Sequence, residues 1–586
     1  LSQRHLLKCT LIVFILLHRR VILRSRAALM TMRTAGGVNV MPAGEVCIST
    51  ASNVLGMLLG ANTSTTTVNE IVNAKTLVLW GANISETYPP YTRWLDKARD
   101  AGVRIVSVDC RKTPTSAWAA DQLMPLPGTD GALALGAIRF VLENGAFDRA
   151  RVDESITGFE LMEKGAQPWN VDKVAQATGL SEDAVTAFYR TLAESPRTII
   201  WMGGCLSRYT NGLQSIRAII ALQALRDNLI GSGRGLLTME GGKPEGEKEF
   251  VDAVCGPAKD SGVNFRRLLN TMKKGNLDVL FLNSSYRRYP DCTGVAEAIK
   301  KVGFVVHRGF FKTEEMDVAD LFVPAAFGPE SAGSHYGAEK QVVWRDKCVD
   351  APGSCVPDWQ FYRDIGRKLA PEIYPDFTGP EELSERFRNT VPSWKAMSVS
   401  RMRQSPDGLI WPQPEEGAQE RIGTVFTSGT YATENGKIPL DLKLMGAFGW
   451  TPPKGNPHGA GADKEYPLVL TQGKVVTQWQ QTMTNFAASL AQFSRGRYVL
   501  VHPDTAKPLG IAHGDTVRIK TATGSVEAVA ELTASIRPGI IFTPSHFTGT
   551  SPHAATRSKP INAILPNYWD RVSAQFNGVG CTLEKA

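Results

Sequence analysis

The chain has 586 residues, too many for one hydrophobic core, so roughly three or four domains are expected. Hydrophobic residues make up 43 % and charged residues 21 %, an ordinary balance for a globular protein. The net charge of +8 is modest and dispersed apart from an N-terminal cluster, which excludes a nucleic-acid footprint; nine cysteines without a CxxC pair exclude a disulfide framework and a zinc site. Leu6 to Leu17 is an apolar run broken by Lys8 and Thr10 and followed by Arg19, Arg20, Arg24 and Arg26. It is too short to span a bilayer, and its basic residues follow it where a secretory signal would place them first. Residues 1–36 are therefore expected to be a leader or a segment foreign to the fold, with coding sequence missing upstream.

From Val68 to Gly136 the pattern is strand, helix, strand, loop. Thr76–Trp80 is a continuous apolar run of buried-strand type, Tyr91 to Ala101 has the spacing of an amphipathic helix ended by Gly102, and Val103–Asp109 is a second strand. This βαβ unit predicts a parallel sheet with ligands beyond the carboxyl ends of its strands. A second unit runs through a helix capped at Ser181, the strand Arg197–Met202, a Gly203-Gly204 turn and a helix from Gln214 to Leu229. A third begins at Leu277–Leu282 and continues through a Val295–Lys301 helix to Gly303–His307. The stretch 401–463 is rich in Pro, Gly and charge and predicts a connection. Beyond it, short strands with Val517, Ile519, Val526, Val529 and Ile540 to Phe542 are joined by Gly-Asp and Pro-Gly turns, the pattern of a small barrel.

The strand ends carry the specific residues. Asp109 in Asp109-Cys-Arg111-Lys-Thr113 follows a strand, where an acid can accept hydrogen bonds from ribose or base. Pro127-Gly128-Thr-Asp130 precedes an Ala/Leu-rich helix; alone it reads equally as a helix-entry turn with an acid near the N-cap. Gly81, Asn83 and Glu86 form the turn after the first strand. Gly203 and Gly204, then Arg208-Tyr-Thr-Asn211-Gly212, form a Gly-rich turn whose backbone can approach phosphate.

Taken in order, these blocks resemble the molybdopterin oxidoreductases of the dimethyl sulfoxide reductase family. Trp80-Gly-Ala-Asn83, Asp109–Thr113 and Pro127–Asp130 resemble that family's guanine-dinucleotide site. Arg208–Gly212 resembles its "QHTNG" loop with Arg-Tyr in place of Gln-His. Thr313–Pro324 resembles "TETAxxADVVLP", and Glu330–Gly337 resembles the "ExxGTxxNxEG" loop used near the pterins. The C-terminal segment resembles the family's cofactor-capping barrel: Thr471, Gly473 and Lys474 stand for "TGR"; Gln478, Trp479, Gln480 and Thr482 for "HWHTGT"; Asn562 for the Asn of "ANxLT". Amides can still bond pterin nitrogens and carbonyls.

The resemblance implies an α/β fold, with Rossmann-like parallel-sheet domains around a bis-pterin cofactor and a six-stranded β-barrel. The expected boundaries are 1–36 leader, 37–264 dinucleotide-binding domain, 265–400 second α/β domain, 401–463 connection and 464–586 barrel. It implies a bis-molybdopterin guanine dinucleotide cofactor with molybdenum or tungsten, doing two-electron or oxygen-atom-transfer chemistry. Cys47, in Glu45-Val-Cys-Ile-Ser-Thr-Ala51, falls where the family's metal ligand lies, and a thiolate suits such a metal. Ser49 and Thr50 are the alternatives if the register slips. Cys-Ile-Ser-Thr-Ala resembles the nitrate reductase string; the His that follows the ligand in formate dehydrogenases is missing, and Cys-Ile is shared with an acetylene hydratase-like group, a non-redox alternative. His335 or Arg345 is expected to approach a small-molecule substrate, and Asn283 to bind cofactor. The family's [4Fe–4S] domain has no cysteine run here. A ferredoxin-like iron–sulfur subunit is the expected partner, with a membrane anchor subunit as a second one; localisation, cytoplasmic or periplasmic, is open. The other-class alternative is a cofactor-less structural or electron-transfer relative, which the substitutions at Arg208, Lys474, Gln478 and Gln480 motivate.

Overall fold

The computed structural model describes residues 12–16, 27–28, 30–31, 39–42, 49–238, 246–257, 265–283, 293–336, 341–415, 426, 429–454, 464–478, 484–566 and 578–586. The chain divides into two compact units, each built from two separated pieces: residues 1–45 with 242–421, and residues 46–241 with 422–586. Strands β1 (Ile12–Leu16) and β2 (Asn39–Pro42) belong to the first unit. The second contains β3 (Thr76–Trp80), β4 (Arg104–Val108), β5 (Asp121–Leu123), β6 (Ile156–Thr157), β7 (Thr198–Met202) and β8 (Gly235–Thr238). The chain returns to the first unit for β9 (Val279–Leu282), β10 (Phe304–Gly309), β11 (Leu321–Pro324), β12 (Gly333–Tyr336), β13 (Gln341–Arg345) and β14 (Leu409–Ile410). It ends in the second with β15 (Ile438–Pro439), β16 (Leu468–Gly473), β17 (Tyr498–Val501), β18 (Thr516–Thr521), β19 (Gly524–Leu532), β20 (Ile540–Pro544) and β21 (Val579–Lys585).

Each unit carries a five-stranded, all-parallel sheet. The first has the order β11-β10-β9-β1-β2 and the second β5-β4-β3-β7-β8. Strands β3, β7, β8 and β9 are buried along their whole length, as parallel strands covered on both faces must be. In the second unit, helices α1 (Ser49–Leu59), α2 (Thr92–Asp100), α3 (Asp130–Glu143), α4 (Glu182–Glu194) and α5 (Gly212–Leu225) supply the cover. Ser181 caps α4 by accepting from the Ala184 N–H. Helix α5 is buried on every side, so its Ala, Ile and Leu residues show little amphipathic contrast. The C-terminal strands close a six-stranded barrel, β16-β20-β17-β19-β18-β21. Within the second unit, Arg537 of the barrel donates to the carbonyls of Met124 (2.7 Å), Thr178 (3.1 Å) and Gly179 (2.7 Å).

The described residues group differently from the expected boundaries. The described parts of residues 1–36 belong to the first unit. β1 lies inside the first sheet, with Phe14 opposite Val40 on one side and Phe281 on the other. Ala27, Ala28 and Met30 are fully buried in that unit's core, and Thr31 Oγ1 donates to the Tyr362 carbonyl at 2.7 Å. A strand inside a parallel sheet is apolar on both faces, so it has the same composition as a signal core. Phe250 and Val251 of the helix Glu247–Cys255 also join the first unit's core. The stretch 401–463 divides: Met402, Leu409 and Trp411 complete the first core, whereas Phe426, Ile438, Leu440, Met445 and Phe448 pack into the second. Arg217 of α5 fastens the latter part. Its buried guanidinium donates to the carbonyls of Leu440, Met445, Gly446 and Ala447, so this irregular backbone is satisfied without regular structure.

Candidate functional site

The second unit's sheet reverses its strand order between β3 and β7, and there the loops from opposite sides part to leave a crevice. Two glycines bring the backbones together at that point. The Gly81 N–H donates to the Val108 carbonyl at 2.7 Å, and the Gly203 N–H donates to the Trp80 carbonyl at 2.8 Å. A Cβ on Gly203 would lie 1.6 Å from the Gly81 carbonyl oxygen, and Gly81 has φ +62°, so neither position admits another residue without backbone movement. Gly204 opens the short 3-10 helix that ends at Arg208.

Polar side chains from three strand ends meet around this contact. Asp130, at the start of α3, accepts from Trp80 Nε1 at 3.0 Å. Burial pushes its carboxyl up to about 6, against the pull of the Trp80 bond, and burial also raises Asp109 despite the nearby Arg111 charge. The thiols of Cys110 and Cys205 and the Tyr209 phenol are raised by burial too, and each feels the charges of both acids. Cys205 is nonetheless exposed to solvent, with its Sγ 3.3 Å from the Gly81 carbonyl. A group both crowded by protein and open to solvent sits in a concavity.

A second layer holds the rim. Arg111 pairs with Glu86 at 3.1 Å, both nearly enclosed, and lies 4.0 Å from the Phe542 ring of the barrel. Asn83 donates to the same Glu86 carboxylate and accepts from Thr115 Oγ1 at 2.8 Å. Thr113 is buried and gives its carbonyl to Ser116, so the hydroxyl that reaches Asn83 is Thr115's. Asn211 donates to the carbonyls of Gly128 and Thr451, both at 2.8 Å, and thereby ties the start of α5 to the turn before α3. Gly212 follows it at the first position of α5, where a Cβ would meet the Leu206 carbonyl at 2.6 Å. The Tyr209 ring fits only because Gly128 and Gly578 lack side chains. From the barrel, Lys474 donates to the Thr87 carbonyl at 3.1 Å, and Gln478 is 1 % exposed with neither amide atom bonded among the described residues. Thr471 spends its hydroxyl on the Ile541 carbonyl, Gly473 accepts from Ser545 and Asn562 lies part-buried in the 561–564 turn; these three shape the barrel. Cys47, Trp479 and Thr482 lie outside the described residues.

The first unit has its own strand-end group. Asn283, just past β9, donates to the Tyr362 hydroxyl while its Oδ1 is buried without a partner among the described residues. His307 on the adjacent β10 bonds the Leu282 carbonyl through Nδ1 at 2.9 Å, and its Nε2 is likewise buried and unbonded. His335 and Arg345 lie elsewhere in this unit, on the β12–β13 hairpin. The sequence strings contain Trp80, Cys110 and His307 without marking them as site residues, Tyr209 stands out there only as a departure from the family's Gln-His, and Cys205 lies between two of the strings. Their position at strand ends was the available signal.

These residues fit a nucleotide-bearing heterocycle. Two raised carboxylates favour a ligand edge rich in N–H donors, glycine backbones allow close approach, and the bare Gln478 amide can both donate and accept. Among the described residues no group of three His, Cys, Asp or Glu could hold a metal, and no helix is long and apolar enough to cross a membrane.

The molybdopterin oxidoreductase family profile matches residues 25–368, and the molydopterin dinucleotide-binding domain matches 468–581. The chain is 23 % identical over 542 residues to the F420-dependent formate dehydrogenase subunit alpha of Methanocaldococcus jannaschii, covering 87 % of this chain and 77 % of that protein. It is 25 % identical over 541 residues to the assimilatory nitrate reductase catalytic subunit of Bacillus subtilis, covering 86 % and 74 %. The acetylene hydratase structure from Pelobacter acetylenicus shares the fold, with a TM-score of 0.81 at 17 % identity over 98 % of this chain and 86 % of that one. The chain belongs to the molybdopterin oxidoreductase family and is an oxidoreductase subunit that holds a molybdenum or tungsten pterin cofactor.

Proposed function

We propose that the chain is the catalytic subunit of a bis-molybdopterin guanine dinucleotide enzyme acting on a small anion, formate and nitrate being the substrates named for its relatives. The observation that carries this reading is the pair of strand-end groups, one in each unit: a bis form needs two nucleotide sites. In the second unit Asp109 and Asp130 accept from the guanine N–H edge, and the Gly81 and Gly203 backbones let the phosphates come close. In the first, the open Asn283 Oδ1 and His307 Nε2 receive the second nucleotide. Gln478 meets a pterin edge, and the Arg111–Glu86 pair keeps the rim rigid. The bound cofactor supplies the two-electron or oxygen-atom-transfer chemistry; the protein orients it and excludes water. Cys47 is the protein ligand to the metal. A ferredoxin-like subunit exchanges the electrons, in keeping with relatives that are alpha subunits.

The test is anaerobic purification from cells that make the cofactor, followed by metal analysis and acid release of guanosine nucleotide. About one molybdenum or tungsten and about two guanosines per chain are expected. Metal-free protein without guanosine would instead establish a cofactor-less structural relative. Cys47→Ala is expected to abolish nitrate reduction or formate oxidation with the fold intact; full activity in that variant would refute the ligand role.

A further inference from the structure

Two cysteines of the first unit bracket one exposed loop. Cys348, after β13, is exposed, and Cys355, before the helix Asp358–Leu369, is half-buried; both thiols are free. The two ends of the loop are pinned to the same short stretch of chain, 325–329. The Cys348 and Val349 N–H groups donate to the Pro329 carbonyl at 2.8 and 3.3 Å. Val356 bridges Ala325, and its carbonyl accepts from the Ala326 N–H at 3.0 Å. Buried Arg308 fixes the latter end further, donating to the Val356 carbonyl and to the Asp358 carboxylate. Between these anchors the chain reverses. The Cys355 N–H donates to the Pro352 carbonyl at 3.1 Å around Gly353, whose φ of +53° glycine adopts without strain. Val349, Asp350 and residues 352–354 are exposed. Closing the loop to the roughly 4.4–6.8 Å between Cα atoms that a disulfide needs therefore disturbs no packed core.

The chemistry around Cys348 favours its thiolate. Burial lowers the Arg345 guanidinium and a negative charge on Cys348 acts against that shift, so cation and thiolate stabilise each other. The Asp346 carboxylate is engaged by Arg403 and Trp344, and Asp350 by Lys347, so neither acid stands unpaired against the sulfur. Burial instead raises the thiols of Cys110, Cys205 and Cys581, which makes them poor nucleophiles at neutral pH.

We propose that Cys348 and Cys355 form a reversible disulfide, made by exchange with an organic disulfide, with Cys348 as the attacking thiolate. The Cys348 sulfur displaces one thiolate from the reagent and forms a mixed disulfide. Cys355 then gives up its proton and attacks the Cys348 sulfur, expelling the second thiolate. The cysteines lose two electrons and two protons, and the reagent's disulfide becomes a pair of thiols. The bridge closes 348–355 into a ring and locks the connection between the β12–β13 hairpin and the helix Asp358–Leu369. The exchange needs neither metal nor pterin, so it stands or falls apart from the function proposed above.

The experiment equilibrates the full, reduced chain with glutathione buffers of graded thiol-to-disulfide ratio, traps free thiols with N-ethylmaleimide and maps tryptic peptides by mass. Cleavage after Lys347 and Arg363 puts both cysteines in one peptide, 348–363, so the bridge is read as that peptide unalkylated and two hydrogens lighter. The bridged form is expected, favoured at least about tenfold over that in a synthetic peptide 348–363 at the same ratio, because the anchors hold the loop ends. In Cys355→Ser a mixed disulfide with glutathione should accumulate on Cys348, whereas in Cys348→Ser the remaining Cys355 should react at least about tenfold more slowly. Adding Arg345→Gln to Cys355→Ser should slow the Cys348 reaction severalfold. Full alkylation of both cysteines at every ratio, or a bridge no more favoured than in the peptide, would overturn the proposal. Equal rates in the two single-serine variants would overturn the assignment of Cys348 as the attacking group. Where Arg345→Gln fails to fold, the wild-type chain and the two serine variants decide.

Discussion

Both units carry an all-parallel five-stranded sheet, yet the chemistry at the strand ends differs. In the second unit the segments after β4, β5 and β7 bring together two carboxylates, two thiols and a phenol around a glycine–glycine backbone contact. In the first, the ends of β9 and β10 offer an amide oxygen and an imidazole nitrogen, both buried and unbonded among the described residues. One architecture therefore presents carboxylates at the strand ends of one unit and an amide and an imidazole at those of the other. Charge at a strand end is set by a few loop residues and costs the sheet nothing.

The largest expected effect tests whether the glycine contact defines the second site. Gly203→Ala drives a methyl into the Gly81 carbonyl. It should destabilise the second unit by about 4 kcal/mol or more, with hydrogen exchange accelerating in β3 and β7 first. Unaltered exchange there would mean that the contact is not needed.

A smaller effect separates the acidic site from the neutral one by pH. The Asp130 carboxyl titrates at about 6 in the fold against 3.8 ordinarily, so the folded chain binds that proton more tightly than the unfolded chain. The stability this contributes is present below the ordinary value and lost as pH rises through about 6. Asp130→Asn keeps an acceptor for Trp80 but cannot ionise. In cofactor-free protein it should therefore be more stable than wild type by roughly 1–3 kcal/mol at neutral pH and equal to it near pH 4. With cofactor, the same variant should lose guanosine on dialysis. Equal loss of stability in both forms, by calorimetry, would make Asp130 a helix-capping residue and no more.

The smallest effect belongs to the first unit. Asn283→Ala removes one bond to Tyr362 and should cost about 1 kcal/mol, with no change in the slope of stability between pH 4 and 6. It should lower released guanosine by one equivalent relative to wild type. Unchanged guanosine content would show that the neutral strand end holds no nucleotide.

Much of this arrangement was legible in the sequence, for physical reasons. The βαβ runs and the barrel announce themselves through continuous β-branched stretches and Gly turns, which are local signals. Asp109, Asp130 and the Gly-rich turns were legible as loop residues following strands. The place of β1 was not, because its partners β9 and β2 are remote or weakly patterned and its composition matches a signal core. Cys205 and His307 went unmarked because their importance lies in convergence from separate strands, which no single window contains. The 426–450 stretch misled in a related way. It contributes isolated apolar side chains to another element's core and has its backbone satisfied by Arg217, so it shows no period of its own.

The interleaving of the two units has a consequence for synthesis. By the time residue 421 has left a ribosome, every piece of the first unit has emerged, whereas the second has only its front half. At that moment α5 has no Phe426, Leu440 or Phe448 to cover it, and the Arg217 guanidinium, destined for burial, has none of its carbonyl acceptors. The second unit thus waits, half-built and apolar, for its own C-terminus, and the crevice acquires its barrel roof only in the final stretch of translation. A large ligand has an open path to β3, β4 and β7 before the barrel closes over them, and a narrower one afterwards.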